Sequence, residues 1–202
     1  PSFKLNHDTE LLKLSALATW DGWLFWDNSD LNRINQQYGL NGNYRLTERW
    51  STSVLARYVL DSTQDSQLDE TGSVEIGLSD RERWNAGAGL DYDVSERTQL
   101  SADYNFQKTD FERKSSVDTR TQSVRFVYRR QLQNQKDVIS LFPRFSYGDS
   151  DDFDAYSTTL NFRWEHPFSE TLDTSITAGL RNTFVDYKDD RGNTTNWGGV
   201  AD

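Results

Sequence analysis

The chain has 202 residues, enough for one domain, and its 32 acidic side chains outnumber 22 basic ones to give a formal net charge of -10. That balance excludes the basic surface of a nucleic-acid-binding protein. The absence of cysteine excludes disulfides and cysteine-ligated zinc. A mean hydropathy of -0.83 beside seven Trp, nine Tyr and eleven Phe is unusual for a soluble core. It is typical of strands with one lipid-facing and one water-facing side.

Apolar and polar residues alternate along most of the chain, which is the period of a β-strand with two different faces. In the segment 98–106, for example, Leu100 and Tyr104 alternate with Ser101 and Asp103. Comparable stripes cover, in chain order, residues 3–7, 20–26, 50–61, 84–94, 98–106, 124–128, 139–147, 156–164 and 172–180, and a last strand starts at Trp197. The pattern predicts one domain over residues 1–202 with about ten strands.

The stripes are long, at about 10 to 14 residues, whereas the strands of soluble proteins average about 5 or 6. A tilted strand needs roughly 9 to 11 residues to cross the hydrocarbon layer of a membrane. No stretch approaches the roughly 18 apolar residues of a membrane helix, so a membrane-spanning form of this chain must cross with strands. The alternative is a large soluble barrel or sandwich.

The connections between the stripes are of two kinds. Tight turns are predicted around residues 8–10, 47–49, 95–97, 133–136 and 169–170, and long polar loops at about 27–35, 62–81, 107–118, 148–155 and 187–196. Outer-membrane barrels combine short periplasmic turns with longer outer loops. The sequence therefore predicts an all-β, antiparallel up-and-down transmembrane β-barrel in a bacterial outer membrane. We expect further strands beyond both ends, in a complete barrel of about 12 strands or more.

The two parities of each stripe predict two kinds of surface. Aromatic residues near the stripe ends, with Ala, Leu and Val between them, match the aromatic girdles at membrane interfaces. The predicted lipid-facing girdle consists of Trp50, Tyr58, Trp84, Tyr92, Tyr104, Tyr128, Tyr147 and Trp164. The predicted lumen-lining residues, on the opposite parity, are Arg57, Arg83, Asp91, Asp103, Arg125, Arg129, Arg144, Arg163 and Arg181. The sequence predicts no catalytic residue, metal site or cofactor.

Charge is unevenly distributed over the inward parity. Basic side chains dominate from Arg125 to Arg181, and acidic ones dominate the hairpin 91–103. In a closed barrel a basic wall would face or adjoin an acidic one, and such a field selects and orients charged or polyhydroxylated solutes. The alternative is that the charges pair with each other, as Arg163 would with Asp173, and only stiffen the lumen.

In the hairpin that turns near residue 134, two arginines are predicted to face each other. Its register would set Arg125 opposite Arg144, and like charges across neighbouring strands repel. We therefore expect a carboxylate or an anionic ligand close to this pair. Pro143 lies on the outward parity of the same hairpin and lacks a backbone donor, which predicts a bulge or a weakly paired position.

The tight turns form an internal repeat that carries a family resemblance. Leu46-Thr47-Glu48-Arg49 is echoed by Val94-Ser95-Glu96-Arg97 and, more weakly, by Thr9-Glu10-Leu11. Together with the segment 80–84, these turns resemble the outer-membrane β-barrel porins of the "porin 2" type over most of the chain. The resemblance implies a pore. Because several members are similar to barrels linked with exopolysaccharide export, it also implies such a polymer as a candidate substrate.

Two functions stay open from the sequence. The first is a pore for passage or export of polar solutes, and the second is a structural barrel that scaffolds or sheathes a partner such as a periplasmic export protein or a cytochrome. The predicted partners are the lipid bilayer, lipopolysaccharide and a polysaccharide or other anionic solute, and no nucleic acid. An enzyme is not predicted, because the histidines, His7 and His166, lie beside short turns with no serine placed to join them.

Overall fold

The computed structural model of the protein describes residues 1–24, 26–27, 32–62, 80–112, 117–169, 172–188 and 192–201. Within these ranges the strands are β1 (Ser2–Asp8), β2 (Leu12–Trp23), β3 (Arg33–Arg45), β4 (Trp50–Ser62), β5 (Asp80–Ser95), β6 (Thr98–Phe111), β7 (Thr119–Gln131), β8 (Val138–Ser150), β9 (Phe153–Pro167), β10 (Asp173–Tyr187) and β11 (Asn193–Ala201). The described residues contain no helix long and apolar enough to cross a membrane.

The strands form one 11-stranded antiparallel sheet in which each strand pairs with its neighbours in sequence. Strand length runs from 7 residues in β1 to 16 residues in β5. The predicted all-β, up-and-down architecture with long strands is thus confirmed, and the last strand begins at Asn193, before the predicted start at Trp197. Within the described residues, β1 and β11 each pair with one other strand.

Ser and Thr hydroxyls hold the short turns at one end of the sheet. The Thr9 Oγ1 accepts a hydrogen bond from the backbone N of Leu12 at 3.0 Å, and the Thr47 Oγ1 accepts one from the backbone N of Trp50 at 3.0 Å. Ser95 accepts a longer bond, at 3.4 Å, from the backbone two residues on. Such side-chain acceptors satisfy backbone donors inside the turn, so the strands on both sides can start close to it.

The turn between β7 and β8 has a different construction. Gln135 has a φ of 60°, in the left-handed region that residues other than Gly seldom adopt. The Asn134 Oδ1 accepts hydrogen bonds from the backbone N of Lys136 at 3.2 Å and of Asp137 at 3.0 Å. The Asn side chain therefore supplies the acceptor that Ser or Thr supplies in the other short turns.

Asp137 connects this turn to β9. Its carboxylate accepts a hydrogen bond from the Trp164 Nε1 at 3.1 Å, lies 2.6 Å from the His166 Nδ1 and bonds to the Asn134 side chain. The hydrogen bond to His166, followed by the one to Asn134, holds the pKa of Asp137 below its usual value. The rings of Trp164 and His166 stack with centroids 5.5 Å apart. One ionised carboxylate thus fixes the turn and two neighbouring rings.

Strands extend further at the opposite end of the sheet than the sequence predicts. Because β8 ends at Ser150 and β9 begins at Phe153, the long loop predicted at 148–155 is wrong. Asp149 and Asp154, which fall within that segment, are register partners in the sheet. Acidic residues are poor strand formers, but the backbone ladder here continues past the apolar part of the strands.

Two other predicted loops are shortened in the same way. The loop predicted at 107–118 is entered by β6, which reaches Phe111, and the loop predicted at 187–196 is entered by β11, which starts at Asn193. Both strand extensions consist largely of polar residues, which a reading of hydrophobic alternation leaves out. The loop predicted at 27–35 is likewise entered by β3, which begins at Arg33, and its residues 28–31 lie outside the described ranges. Residues 63–79 of the loop predicted at 62–81 also lie outside them.

The pairing register sorts the side chains onto two faces, because directly opposite residues of neighbouring strands point to the same side. We call the side that carries Trp50, Tyr92 and Tyr128 the apolar face, and the side that carries Asp103 and Arg125 the polar face. All predicted girdle residues lie on the apolar face. All predicted lumen-lining residues lie on the polar face.

Burial is reversed relative to a soluble protein. Among the described residues the one buried hydrophobic side chain is Val59, and the buried polar or charged ones are Arg81, Thr109, Ser123, Ser140 and Ser150. All of them lie on the polar face. On the apolar face, Leu90 is 40%, Phe145 50% and Leu180 64% exposed. A soluble sandwich would cover such residues with a second sheet, whereas the described residues form a single sheet, so the apolar face requires an apolar surrounding.

Aromatic contacts on the apolar face gather toward the two ends of the strands. Far from the short turns, ring centroids lie 5.7, 6.0 and 4.5 Å apart along the series Trp20, Tyr38, Tyr58 and Trp84. Near the short turns, Trp50 stacks on Tyr92 at 4.3 Å. The strand from Trp50 to Tyr58 covers about 26 Å at about 3.3 Å per residue, or about 20 Å along the membrane normal at a tilt of about 40°. This spacing is close to the height of a membrane-spanning apolar band.

Pro143 interrupts the pairing of β7 with β8, as predicted. The pairs run as far as Arg125 with Arg144 and resume at Tyr128 with Leu141. Proline has no backbone N–H, so the ladder loses a donor at this point. The register is the same on both sides, so the feature is a gap in the pairing and not a bulge.

The assignment of the two faces predicts opposite outcomes for two adjacent substitutions. Leu90→Arg should reduce the free energy of unfolding in lipid by about 2 kcal/mol, because the guanidinium would enter the apolar band between Trp84 and Tyr92. Asp91→Asn should change it little, since an amide oxygen can still accept the bond that the Ser101 hydroxyl now donates at 2.5 Å. Reversible urea unfolding in bilayers measures both, and equal effects would contradict the assignment.

The lowered pKa of Asp137 predicts a loss of stability in acid. The carboxylate stabilises the fold above its ordinary pKa of about 3.9, and this contribution disappears as the pH falls through the lower value of the folded state. The midpoint temperature of thermal unfolding in micelles should therefore fall less steeply between pH 6 and pH 2.5 for Asp137→Asn than for the wild type. Glu48→Gln, which removes a carboxylate from another exposed short turn, is the control and should keep the wild-type slope.

Candidate functional site

A row of charged residues crosses the polar face from β6 to β10. Asp103 on β6 pairs in register with Arg125 on β7, which in turn pairs with Arg144 on β8. The row continues through Thr159 on β9 to Arg181 on β10. The acidic hairpin β5–β6 and the arginine-rich strands that follow it are therefore immediate neighbours in the sheet.

The two opposed arginines at the centre of this row have different partners. The Arg125 Nη2 and Nε donate to the Asp103 Oδ2 at 2.9 and 3.1 Å. The sequence-based expectation of a carboxylate near the pair is confirmed, but this carboxylate lies on the far side of Arg125. Within the described residues, the one hydrogen bond of the Arg144 guanidinium goes from Nη2 to the Ser123 Oγ at 3.3 Å. The second positive charge therefore has a neutral partner.

A second group of arginines shares one carboxylate closer to the short turns. Glu165 lies 3.2 Å from the Arg129 Nη2 and 3.9 Å from the Arg163 Nη1. The Arg163 Nε also donates to the Thr177 Oγ1 at 3.1 Å. The prediction that Arg163 pairs with Asp173 is wrong, because the register sets Asp173 opposite Pro167 at the strand end, away from Arg163.

The other predicted lumen-lining residues are spread over the same face. The Arg181 Nε donates to the Ser157 Oγ at 3.2 Å, and the Arg83 Nη2 lies 2.6 Å from the Asp61 Oδ2. Arg57 is exposed on β4. The structure therefore brings Asp103, Arg125 and Arg144 together, joins Arg129 to Arg163 through Glu165, and leaves Arg57, Arg83, Asp91 and Arg181 apart from these two groups.

A groove of about 420 Å³ opens on the polar face beside the Arg125–Arg144 pair. Its floor includes Gly87 and Gly89. A Cβ atom on Gly89 would come within 2.5 Å of the Ser53 Oγ and 3.1 Å of the Asp103 Oδ1, so these side chains already occupy the space above the glycine. Glycine at this position lets a hydroxyl and a carboxylate lie close to the backbone of β5.

The walls of the groove add neutral polar groups that the sequence analysis did not select. Asn41 and Asn43 come from β3, Asn105 from β6 and Ser123 from β7. Each lies at a polar position in the alternation of its strand, and this position is the one sequence signal that could have indicated its place on the polar face. That they meet in one groove depends on the stagger between four strand pairs, which alternation leaves undetermined.

The chemistry available here is ionic and hydrogen-bonding recognition. Amide and hydroxyl groups both donate and accept, and guanidinium groups suit flat anions such as carboxylates. Both histidines lie on the other face, where His7 pairs with Leu14 and His166 with Thr174. The described residues bring no three His, Asp or Glu side chains into an arrangement that could hold a metal ion.

The fold has counterparts among bacterial outer-membrane proteins. No protein-family model and no curated protein sequence matches the chain. Two structures of OmpT, an in-vitro folded outer membrane protein of Vibrio cholerae, the second in a trimer form, match with TM-scores of 0.61 and 0.60 at 10% sequence identity. The matches cover 98% and 99% of this chain but only 59% and 61% of the OmpT chains. The chain thus has the fold of an outer-membrane β-barrel wall, and the comparisons do not assign it to the porin family that its turns resemble.

Proposed function

We propose that this chain forms part of the wall of a pore in a bacterial outer membrane, with the apolar face toward lipid and the polar face toward an aqueous lumen. The supporting observation is the separation of side chains by the register. Charged residues such as Arg125 and Arg144 share one face, and aromatic residues such as Trp84 and Tyr128 share the other. A membrane barrel needs this division, because its wall separates lipid from water at every strand.

Transport of polar solutes suits the lumen-side chemistry better than catalysis does. Within the described residues, the polar face offers guanidinium, carboxylate, amide and hydroxyl groups, whereas both histidines, the usual bases that activate a hydroxyl, lie on the other face. The arginines of β7 to β10 outnumber Asp103 and Glu165, the carboxylates bonded to them. We therefore assign the pore a preference for anions.

An anionic polysaccharide is the finer candidate for the solute. Guanidinium groups on neighbouring strands would meet acidic groups along a polymer, and amides such as Asn41 and Asn105 would meet its hydroxyls. The resemblance of the short turns to porins linked with exopolysaccharide export points to the same class of solute. In this arrangement the short turns lie on the periplasmic side, as they do in other outer-membrane barrels.

Planar bilayer recording tests the pore directly. The full-length protein should produce steady conductance steps, with a reversal potential in a salt gradient that indicates anion preference. Arg129→Gln should shift that potential toward the cation side, because Arg129 lies on the polar face. Arg130→Gln removes the same charge from the adjacent residue on the apolar face and should leave the reversal potential unchanged.

Two results would contradict the proposed pore or its orientation, and one would support the polysaccharide as its solute. Absence of conductance from protein that is folded and inserted would contradict the pore and favour a barrel that sheathes a partner protein. Equal shifts for Arg129→Gln and Arg130→Gln would contradict the assignment of the polar face to the lumen. An anionic oligosaccharide that blocks the current, where a neutral one of equal length does not, would support the polysaccharide.

A further inference from the structure

We infer that the groove beside Arg144 is a binding site for a solute with one carboxylate and several hydroxyl groups, such as a sugar acid. The inference rests on the proposed function in one respect, that the polar face meets water. It adds a defined position, a net charge and a ligand class to a surface that otherwise only attracts anions in general.

The charges of the groove call for a single negative charge. Arg125 and Arg144 contribute two guanidinium groups and Asp103 contributes one carboxylate, so the groove carries one net positive charge. Arg125 and Arg144 are register partners, whose Cα atoms lie about 4.5 to 5.5 Å apart in an antiparallel pair, and like-charged side chains at such opposed positions repel. A monoanion between the two guanidinium groups would remove the repulsion, whereas a dianion would leave an excess of negative charge beside Asp103.

The free donors of Arg144 point to a carboxylate as the anionic group. A guanidinium group has five N–H donors in a planar fork, which matches the two oxygens of a carboxylate. Within the described residues, Arg144 uses one nitrogen on the Ser123 hydroxyl, at 3.3 Å. The acceptor is a neutral hydroxyl and the bond is long, so a carboxylate from solution can take its place or bind beside it.

The neutral lining of the groove points to hydroxyl groups on the rest of the ligand. Asn41, Asn43, Asn105 and Ser53 line the same groove, and each can both donate and accept. The Asn105 Nδ2 donates to the Asn85 Oδ1 at 3.2 Å, which orients the Asn105 amide. A sugar ring presents hydroxyls that likewise donate and accept, and the groove volume of about 420 Å³ lies in the range of small-molecule sites.

Ligand-observed NMR titration of the folded full-length protein in micelles tests this site without requiring conduction. The probes are glucuronate and glucose, which differ at the carboxylate and share the hydroxyls, together with acetate, which has only the carboxylate. We expect glucuronate to bind more tightly than either. Arg144→Gln should weaken glucuronate binding by about tenfold, since a charge-assisted hydrogen bond is lost. Arg57→Gln, which removes the same charge from the same face outside the groove, should leave binding within about twofold.

A third variant separates recognition from a structural effect. Asp103→Asn removes the carboxylate that competes for Arg125, so it should tighten glucuronate binding, whereas a merely damaged groove would weaken it. Equal binding of glucuronate and acetate, or unchanged binding in Arg144→Gln, would overturn the inference. If the bilayer recordings show a pore while these titrations fail, the proposed function stands without the site. If the titrations succeed without conductance, the site stands and the pore does not.

Discussion

The period of two in a pleated strand, fixed by the hydrogen bonds between neighbouring strands, is the constraint on which the rest of the structure depends. If β6 slipped by one residue against β5, Tyr104 would move to the polar face and Asn105 to the apolar face. In a bilayer the ladder is held further, because an unpaired backbone group in hydrocarbon costs several kcal/mol. The register therefore fixes which side chains each face carries, and with them the chemistry of both faces.

The polar face combines small and large side chains in a way that explains how a single sheet can bury small polar residues. Ser123 and Ser140 are 8% and 4% exposed. Ser140 is the register partner of both Arg129 and Arg163, and Ser123 lies two residues from Arg125 on the same face. Arginine side chains are long enough to extend over such small neighbours on the same face. The Arg144 bond to the Ser123 hydroxyl is one such contact. The polar face thus buries mainly polar groups, while most of the large apolar side chains lie exposed on the other face.

Alternation predicted about ten strands, the two faces and the opposition of Arg125 and Arg144, because each follows from a local period and one turn position. The described residues form eleven strands, and β3 is the one for which no stripe was predicted. Alternation failed where tertiary register decides. Arg163 lies 3.9 Å from the Glu165 carboxylate on its own strand and away from Asp173, since the register sets Asp173 at the strand end. The loop predicted at 148–155 failed because acidic residues suggest a loop, while backbone pairing continues through them. The groove was not predicted, since its residues come from several strands whose stagger no local pattern contains.

Stability alone does not account for the pair of strands at the centre of the polar face. Arg125 opposes Arg144 across β7 and β8, and the pairing gap at Pro143 begins directly beside them, so two weakening features coincide. A hydroxyl or amide at position 144 would remove the repulsion and could still bond Ser123. The second guanidinium is instead exposed, next to a groove of amides and hydroxyls whose one lining carboxylate, that of Asp103, is bonded to Arg125. A cost to local pairing together with an accessible, uncompensated charge is the arrangement that recognition of an anion from solution requires.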